Sequence, residues 1–117
     1  MLAFFAAVDA SALVLSVLTI GELRRGVELK RRTDLATATR IGAWVDGIEL
    51  SFADRILPVD ARVARLWGVL SADRGRPVID TLLAATALAH DLTLVTRNTK
   101  DVQGINVVVL DPWQWDT

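Results

Sequence analysis

The sequence predicts an α/β fold, in which a parallel β-sheet is flanked by helices. Short continuous apolar runs, typical of strands covered on both faces, alternate along the chain with longer segments that repeat apolar residues at helical spacing. The chain has 117 residues, of which 52% are apolar. This content is enough for one compact domain with a buried core, so we expect a single domain over residues 1–117.

The first twenty residues carry a single charge, Asp9, and hydropathy alone would suggest a membrane anchor. No basic segment precedes this apolar run, and a spanning helix would place Asp9 inside the bilayer at a cost of about 2.5–3.5 kcal/mol. We therefore predict the end of a helix at residues 2–8, a turn at 9–11, a buried strand at 13–18 and no membrane segment. A membrane-anchored α/β protein, whose acids all cap helices, is the alternative.

The rest of the chain alternates between helices and strands in the same manner. In chain order we predict a helix at 20–32, a helix at 34–54, a strand at 56–59, a helix from Asp60 to about Gly75, a helix at 80–90, a strand at 92–96, a turn or short helix at 98–103 and a strand at 106–110. Trp44 and Trp67 lie on apolar helix faces and are predicted to be core residues.

The composition excludes several kinds of site. The chain has no cysteine and one histidine, His90, which rules out disulfides, thiolate zinc sites, cysteine nucleophiles and metal sites built from several imidazoles. Because the net charge is −1, binding to nucleic acid would need a local basic patch. The segment from Arg24 to Arg32 is such a patch, but the solvated face of a helix is the favoured explanation, and a phosphate or antitoxin contact is the alternative.

Three acidic residues stand near predicted helix starts, and each has a structural explanation. Glu22 follows the strand at 13–18 and completes a capping box with Thr19. Asp101 follows the strand at 92–96, where Asn98 is a possible helix cap. Asp80 begins a helix whose residues three, four, seven and eight positions on are apolar, which directs its carboxylate toward the core side. A carboxylate there needs a cation, hydrogen-bond donors or the helix N-terminus as a partner.

The same three acids also suggest a metal site. The carboxyl ends of parallel strands lie at one edge of a sheet, so Glu22, Asp80 and Asp101 could converge there. Clustered carboxylates repel one another unless a cation neutralises them, and ligands that are all oxygen suit Mg²⁺ or Mn²⁺. Such a site can hydrolyse phosphodiester bonds by activating a water molecule and stabilising the leaving oxygen.

The three acids lie in motifs that resemble those of PIN-domain ribonucleases, specifically VapC-type toxins. The motifs are SVLTIGELRRG at residues 16–26, PVIDTLLAATA at residues 77–87 and TRNTKD at residues 96–101, and the closing LDPW at residues 110–113 is similar to the ends of those proteins. The resemblance covers essentially the whole chain. It implies a PIN-like parallel sheet flanked by helices and an endoribonuclease that depends on Mg²⁺ or Mn²⁺.

The resemblance also implies partners and residue roles. The partners are an RNA substrate, a VapB-type antitoxin and a second copy of the chain in a homodimer, and the location is cytoplasmic. By motif match, the catalytic, metal-binding acids are Glu22, Asp80 and Asp101. Thr96 and Asn98 are auxiliary hydroxyl and amide groups. RNA-binding residues are Arg97, which stands in the motif of Asp101, and Arg24 and Arg25 of the basic patch.

The chain departs from the family pattern at its beginning. The family opens with a strand that ends in an Asp, and a helical stretch separates that Asp from the Glu motif. Asp9 imitates this opening but lies only thirteen residues before Glu22, which leaves no room for the helix. We therefore expect a PIN-like domain without the first strand and its Asp. The alternative function is a catalytically impaired remnant that binds only an antitoxin or its own copy.

Overall fold

A computed structural model describes residues 13–111 of the chain. Residues 14–58 form one compact unit and residues 59–111 belong to a second, and each unit contains one two-stranded parallel sheet. The predicted α/β class with parallel strands is thus confirmed. The helix predicted at 2–8 and the turn at 9–11 lie outside the described residues. Among the helices of residues 13–111, none combines the length and hydropathy needed to cross a bilayer.

The first unit has the order strand, helix, helix, strand. Its elements are β1 (Leu15–Ser16), α1 (Val17–Arg31), α2 (Leu35–Ser51) and β2 (Ile56–Leu57). The two strands are parallel, with Leu15 opposite Ile56 and Ser16 opposite Leu57. The two helices together form the connection that parallel strands require.

Helix α1 begins earlier than the sequence analysis predicts. The hydroxyl of Ser16 accepts a hydrogen bond from the backbone N–H of Leu18 at 3.0 Å, so Ser16 is the N-cap. This cap ends the strand at Ser16, and the residues from Val17 onward are helical. The predicted strand at 13–18 is therefore wrong in its last two residues, because an apolar run this short is equally compatible with the first turn of a buried helix.

Helices α1 and α2 pack through a small apolar cluster. Val27, Ala38 and Val45 are buried together, and Leu23 packs against them. Trp44 lies next to Val45 in sequence and is therefore about 100° away around the helix, off this narrow stripe. It is 58% exposed, so its predicted place in the core is wrong.

The second unit continues the alternation. Its elements are α3 (Ala61–Ala72), α4 (Val78–Ala89), β3 (Leu94–Val95), a 3₁₀ helix (Thr99–Val102) and β4 (Val109–Leu110). Strands β3 and β4 are parallel, with Leu94 opposite Val109. All of the strands that the sequence predicts are present but shorter than expected. In β2, Pro58 ends the strand because proline has no N–H to donate to a neighbouring strand.

Two apolar clusters hold the second unit together. In the first, Val63 of α3 packs against Ala85 and Ala89 of α4, and Trp67 closes over them, as predicted for a core residue. In the second, Ala84 of α4 packs against Val102 of the 3₁₀ helix and other apolar side chains. The alanines let the neighbouring elements approach α4 closely, so this helix and the 3₁₀ helix have a fixed relative position.

Candidate active site

Glu22 is not part of a helix cap. It is the sixth residue of α1, whose N-cap is Ser16, and the first turn of this helix contains no acidic residue. The capping box with Thr19 is therefore wrong. Glu22 is exposed, and within residues 14–58 its carboxylate makes no hydrogen bond or ion pair. The structural explanation offered for this acid is thereby removed, and its metal-binding role stays a prediction.

Arg24 of the basic patch links α1 to α2. Its Nη2 donates to Oδ1 of Asp46 at 2.6 Å, and its Nε and Nη2 donate to Oε1 of Glu49 at 3.0 and 2.8 Å. Hydrogen bonds to Asp46 and then Glu49 raise the pKa of Arg24 above its usual value. An RNA phosphate would have to compete with these carboxylates for Arg24, whereas the exposed Arg25 has no such partner within residues 14–58.

Asp80 lies in the first turn of α4 and is half-buried. The helix starts after Pro77, whose fixed φ suits the start of a helix and which offers no side-chain cap. The buried Thr81 fixes this turn, because its hydroxyl donates to the carbonyl oxygen of Pro77 at 2.7 Å. The direction predicted for the carboxylate of Asp80 stays a prediction.

Asp101 is held by the turn that follows β3. The backbone N–H of Thr96 donates to Leu110 O at 3.0 Å and extends the ladder between β3 and β4. The hydroxyl oxygen of Thr96 then accepts from the N–H of Asn98 at 3.0 Å, and Asn98 O accepts from the N–H of Asp101 at 3.1 Å. Asn98 is the N-cap residue of the 3₁₀ helix, as predicted, but its side chain makes no capping hydrogen bond. Arg97 and Asn98 are exposed, and Asp101 is half-buried.

The packing of the second unit places Asp80 and Asp101 on neighbouring parts of the fold. Ala84 and Val102 belong to one buried cluster; Asp80 stands one helical turn before Ala84, on the same face of α4, and Asp101 directly precedes Val102. Glu22 belongs to the other unit, and the meeting of all three acids stays a prediction. Within residues 13–111, no three or more Asp, Glu or His side chains are grouped so as to hold a metal ion.

A small cleft of about 230 Å³ lies beside Asp101. Besides Asp101 it is lined by Arg74, Gly75, Arg76, Pro77, Lys100 and Gln103. Arg74, Arg76 and Lys100 are not among the site residues predicted from the sequence. The sequence Arg-Gly-Arg directly before the helix of Asp80 was the available signal, but local sequence does not reveal that Lys100 faces the same cleft.

The sequence matches a known family over most of its length. The model of the PIN domain family matches residues 2–103, a range that includes parts of both units. Toxin FitB of Neisseria gonorrhoeae is 34% identical over 108 residues, which cover 85% of this chain and 74% of FitB. The VapC ribonuclease Y4jK of Sinorhizobium fredii is 31% identical over 123 residues, which cover 97% of this chain and 84% of that protein.

Solved structures agree with these sequence matches. The crystal structure of FitAcB from Neisseria gonorrhoeae superposes with a TM-score of 0.86 at 30% identity and covers 97% of this chain and 84% of that chain. VapBC-1 from nontypeable Haemophilus influenzae superposes with a TM-score of 0.65 at 21% identity, covering 85% and 73% of the two chains. At this lower identity the likeness concerns the fold alone.

Proposed function

We propose a function for this chain on the basis of its family. The chain belongs to the PIN domain proteins and, among them, to the VapC-type toxins. The protein is a metal-dependent endoribonuclease toxin that hydrolyses RNA phosphodiester bonds. The observation that carries this proposal is the position of Asp80 and Asp101, next to the buried contact between Ala84 and Val102. Two half-buried carboxylates on elements that pack against each other are a suitable pair for a divalent cation.

The donor set fits Mg²⁺ or Mn²⁺. Both ions prefer oxygen ligands, and Mg²⁺ keeps several waters and is commonly bound by one or two carboxylates together with substrate phosphates. Asp80 and Asp101 supply two carboxylates, and Glu22 is our candidate for a third. When bound, the ion would lower the pKa of a bound water and stabilise the leaving oxygen of the phosphodiester.

The surrounding residues of the chain would orient the RNA. Thr96 uses its hydroxyl oxygen as an acceptor for the N–H of Asn98, so its own O–H proton is available to donate to a phosphate oxygen. The amide of Asn98 and the guanidinium of Arg97 are exposed beside Asp101 in sequence. We assign Arg97 the main contact with an RNA phosphate, Arg25 a second contact, and Arg24 a weaker one because it is paired with Asp46 and Glu49.

We further propose that a VapB-type antitoxin binds and neutralises the protein. The related solved structures are described as FitAcB, as FitAB bound to a DNA fragment, as VapBC-1 and, for Klebsiella pneumoniae, as a toxin-antitoxin complex. A homodimer in the cytoplasm is the corresponding assembly and location.

The test is RNA cleavage with Mg²⁺ or Mn²⁺ and with EDTA. Asp80→Asn and Asp101→Asn should each abolish cleavage. Asp91→Asn is the matched control, because Asp91 is exposed in the same unit and its φ of 55° is well tolerated by asparagine. Cleavage that survives in both site variants would refute the proposal. Absence of cleavage by the parent, with intact antitoxin binding, would favour the impaired remnant instead.

A further inference from the structure

The cleft beside Asp101 is basic and small. Its lining includes three cationic side chains, Arg74, Arg76 and Lys100, and one carboxylate, that of Asp101. Its volume of about 230 Å³ is below the roughly 300 Å³ at which pockets begin to enclose drug-sized ligands. An anionic group such as a phosphate therefore suits the cleft better than a whole small molecule.

Arg76, which lines this cleft, is a buried cation whose guanidinium is only partly paired. Its side chain is only 3% exposed, its Nη1 donates to Gln103 O at 2.8 Å and its Nη2 donates to Asp73 at 3.2 Å. The Nε–H is buried and has no acceptor within the described residues. Asp73, the one carboxylate that pairs with Arg76 in this part of the chain, is 64% exposed. Because a buried charge is costly unless it is well compensated, an anion in the cleft would supply a second counter-charge.

The other two cations can reach a ligand directly. Arg74 and Lys100 are exposed. They line the cleft from two segments that lie far apart in the sequence. Arg74 also donates through Nη2 to Gln103 O, which leaves its remaining N–H groups available. A guanidinium offers a planar set of donors to phosphate oxygens, and an ammonium adds a mobile charge.

We propose that this cleft binds a phosphate group of the RNA strand and so fixes the strand beside Asp101. Arg74, Arg76 and Lys100 would be positioning residues for the substrate. The inference rests on the proposed function, because it takes RNA as the ligand and places the bound phosphate next to a carboxylate assigned to the metal site. A strand anchored there would present its adjacent linkage to that site.

The test measures RNA binding without cleavage. A fluorescently labelled single-stranded RNA of mixed sequence is titrated with the full chain in EDTA, at several salt concentrations. Lys100→Ala and Arg74→Ala should each weaken binding on the order of 10-fold, since hydrogen bonds to charged groups are of that strength. Each should also reduce the slope of log K against log salt by about 0.7. Lys100 makes no side-chain hydrogen bond within residues 13–111, so its replacement should not affect folding.

The matched control is Arg65→Ala, which removes the same charge from the exposed surface of α3. It should leave affinity and salt slope nearly unchanged. Parent-like binding by both cleft variants, equal loss in the control, or no RNA binding by the parent would each overturn the inference. Cleft-dependent binding without metal-dependent cleavage would support the cleft and refute the nuclease. Cleavage that does not depend on Arg74 and Lys100 would refute the cleft alone.

Discussion

Replacing Gly104 with alanine should destabilise the second unit and disturb the basic cleft at the same time. Gly104 has a φ of +86°, and a Cβ placed on it would lie 2.9 Å from Nη2 of Arg74 and 3.4 Å from Nη2 of Arg76. A left-handed conformation costs a residue with a Cβ about 1–2 kcal/mol. The close atoms are ends of flexible side chains, so Arg74 can move, at the expense of its hydrogen bond to Gln103 O. We therefore expect a total loss of about 2 kcal/mol.

The matched control should change the stability in the opposite direction. Gly68 lies inside α3, and a Cβ there would meet no atom within 4 Å. Gly68→Ala should therefore stabilise the protein by about 0.5–1 kcal/mol through helix propensity alone. Urea unfolding followed by circular dichroism measures both variants. If Gly104→Ala is as stable as the parent, the assigned left-handed conformation and the tight approach of Arg74 are wrong.

Three further predictions concern caps and charges. The carboxylate of Asp60 accepts a hydrogen bond from the N–H of Val63 at 3.0 Å. Asp60→Ala removes this acceptor and should lower the free energy of unfolding in urea by about 1 kcal/mol. An unchanged free energy of unfolding would exclude this cap. Hydrogen bonds from the hydroxyl and N–H of Thr37 lower the pKa of Asp34 below its ordinary 3.8, so the ionised carboxylate stabilises the folded state above that pH, and this contribution is lost as the pH falls through the lowered pKa. The urea midpoints of the parent and Asp34→Asn should therefore converge below about pH 4, and a constant difference would contradict the assignment. Glu22→Gln should leave the unfolding free energy within about 0.5 kcal/mol, because Glu22 caps no helix, yet abolish metal-dependent cleavage; a large stability loss with cleavage intact would make Glu22 structural.

Local sequence signals predicted the order of the elements and two of the helix starts. Asp34 and Asp60 each precede an apolar helical pattern, and both are N-caps in the structure. The predicted start of α1 was wrong because Ser16 and Thr19 can both cap a helix. The apolar residues between them do not distinguish a strand from a helical turn. The strand ends at Ser16 because its pairing with β2, whose residues lie 41 positions further along the chain, ends there.

The motifs singled out Asp80 and Asp101, whose role as metal ligands stays a prediction. In the structure, the nearby residues Ala84 and Val102 belong to one buried cluster. The basic cleft was not predictable, because Arg76 looks like an ordinary surface residue in the sequence. Its burial depends on the carbonyl oxygen of Gln103, which lies 27 residues further along the chain.

The central claim is that Asp80 and Asp101 hold one divalent cation together. Calorimetric titration of Mn²⁺ into the parent, the two Asn variants, the double variant and the Asp91→Asn control tests it most directly. We predict a single site in the parent and the control, at least 10-fold weaker binding in each site variant, and no further tenfold loss in the double variant, since the carboxylates share one ion. Parent-like Mn²⁺ binding by both Asp80→Asn and Asp101→Asn would contradict the claim.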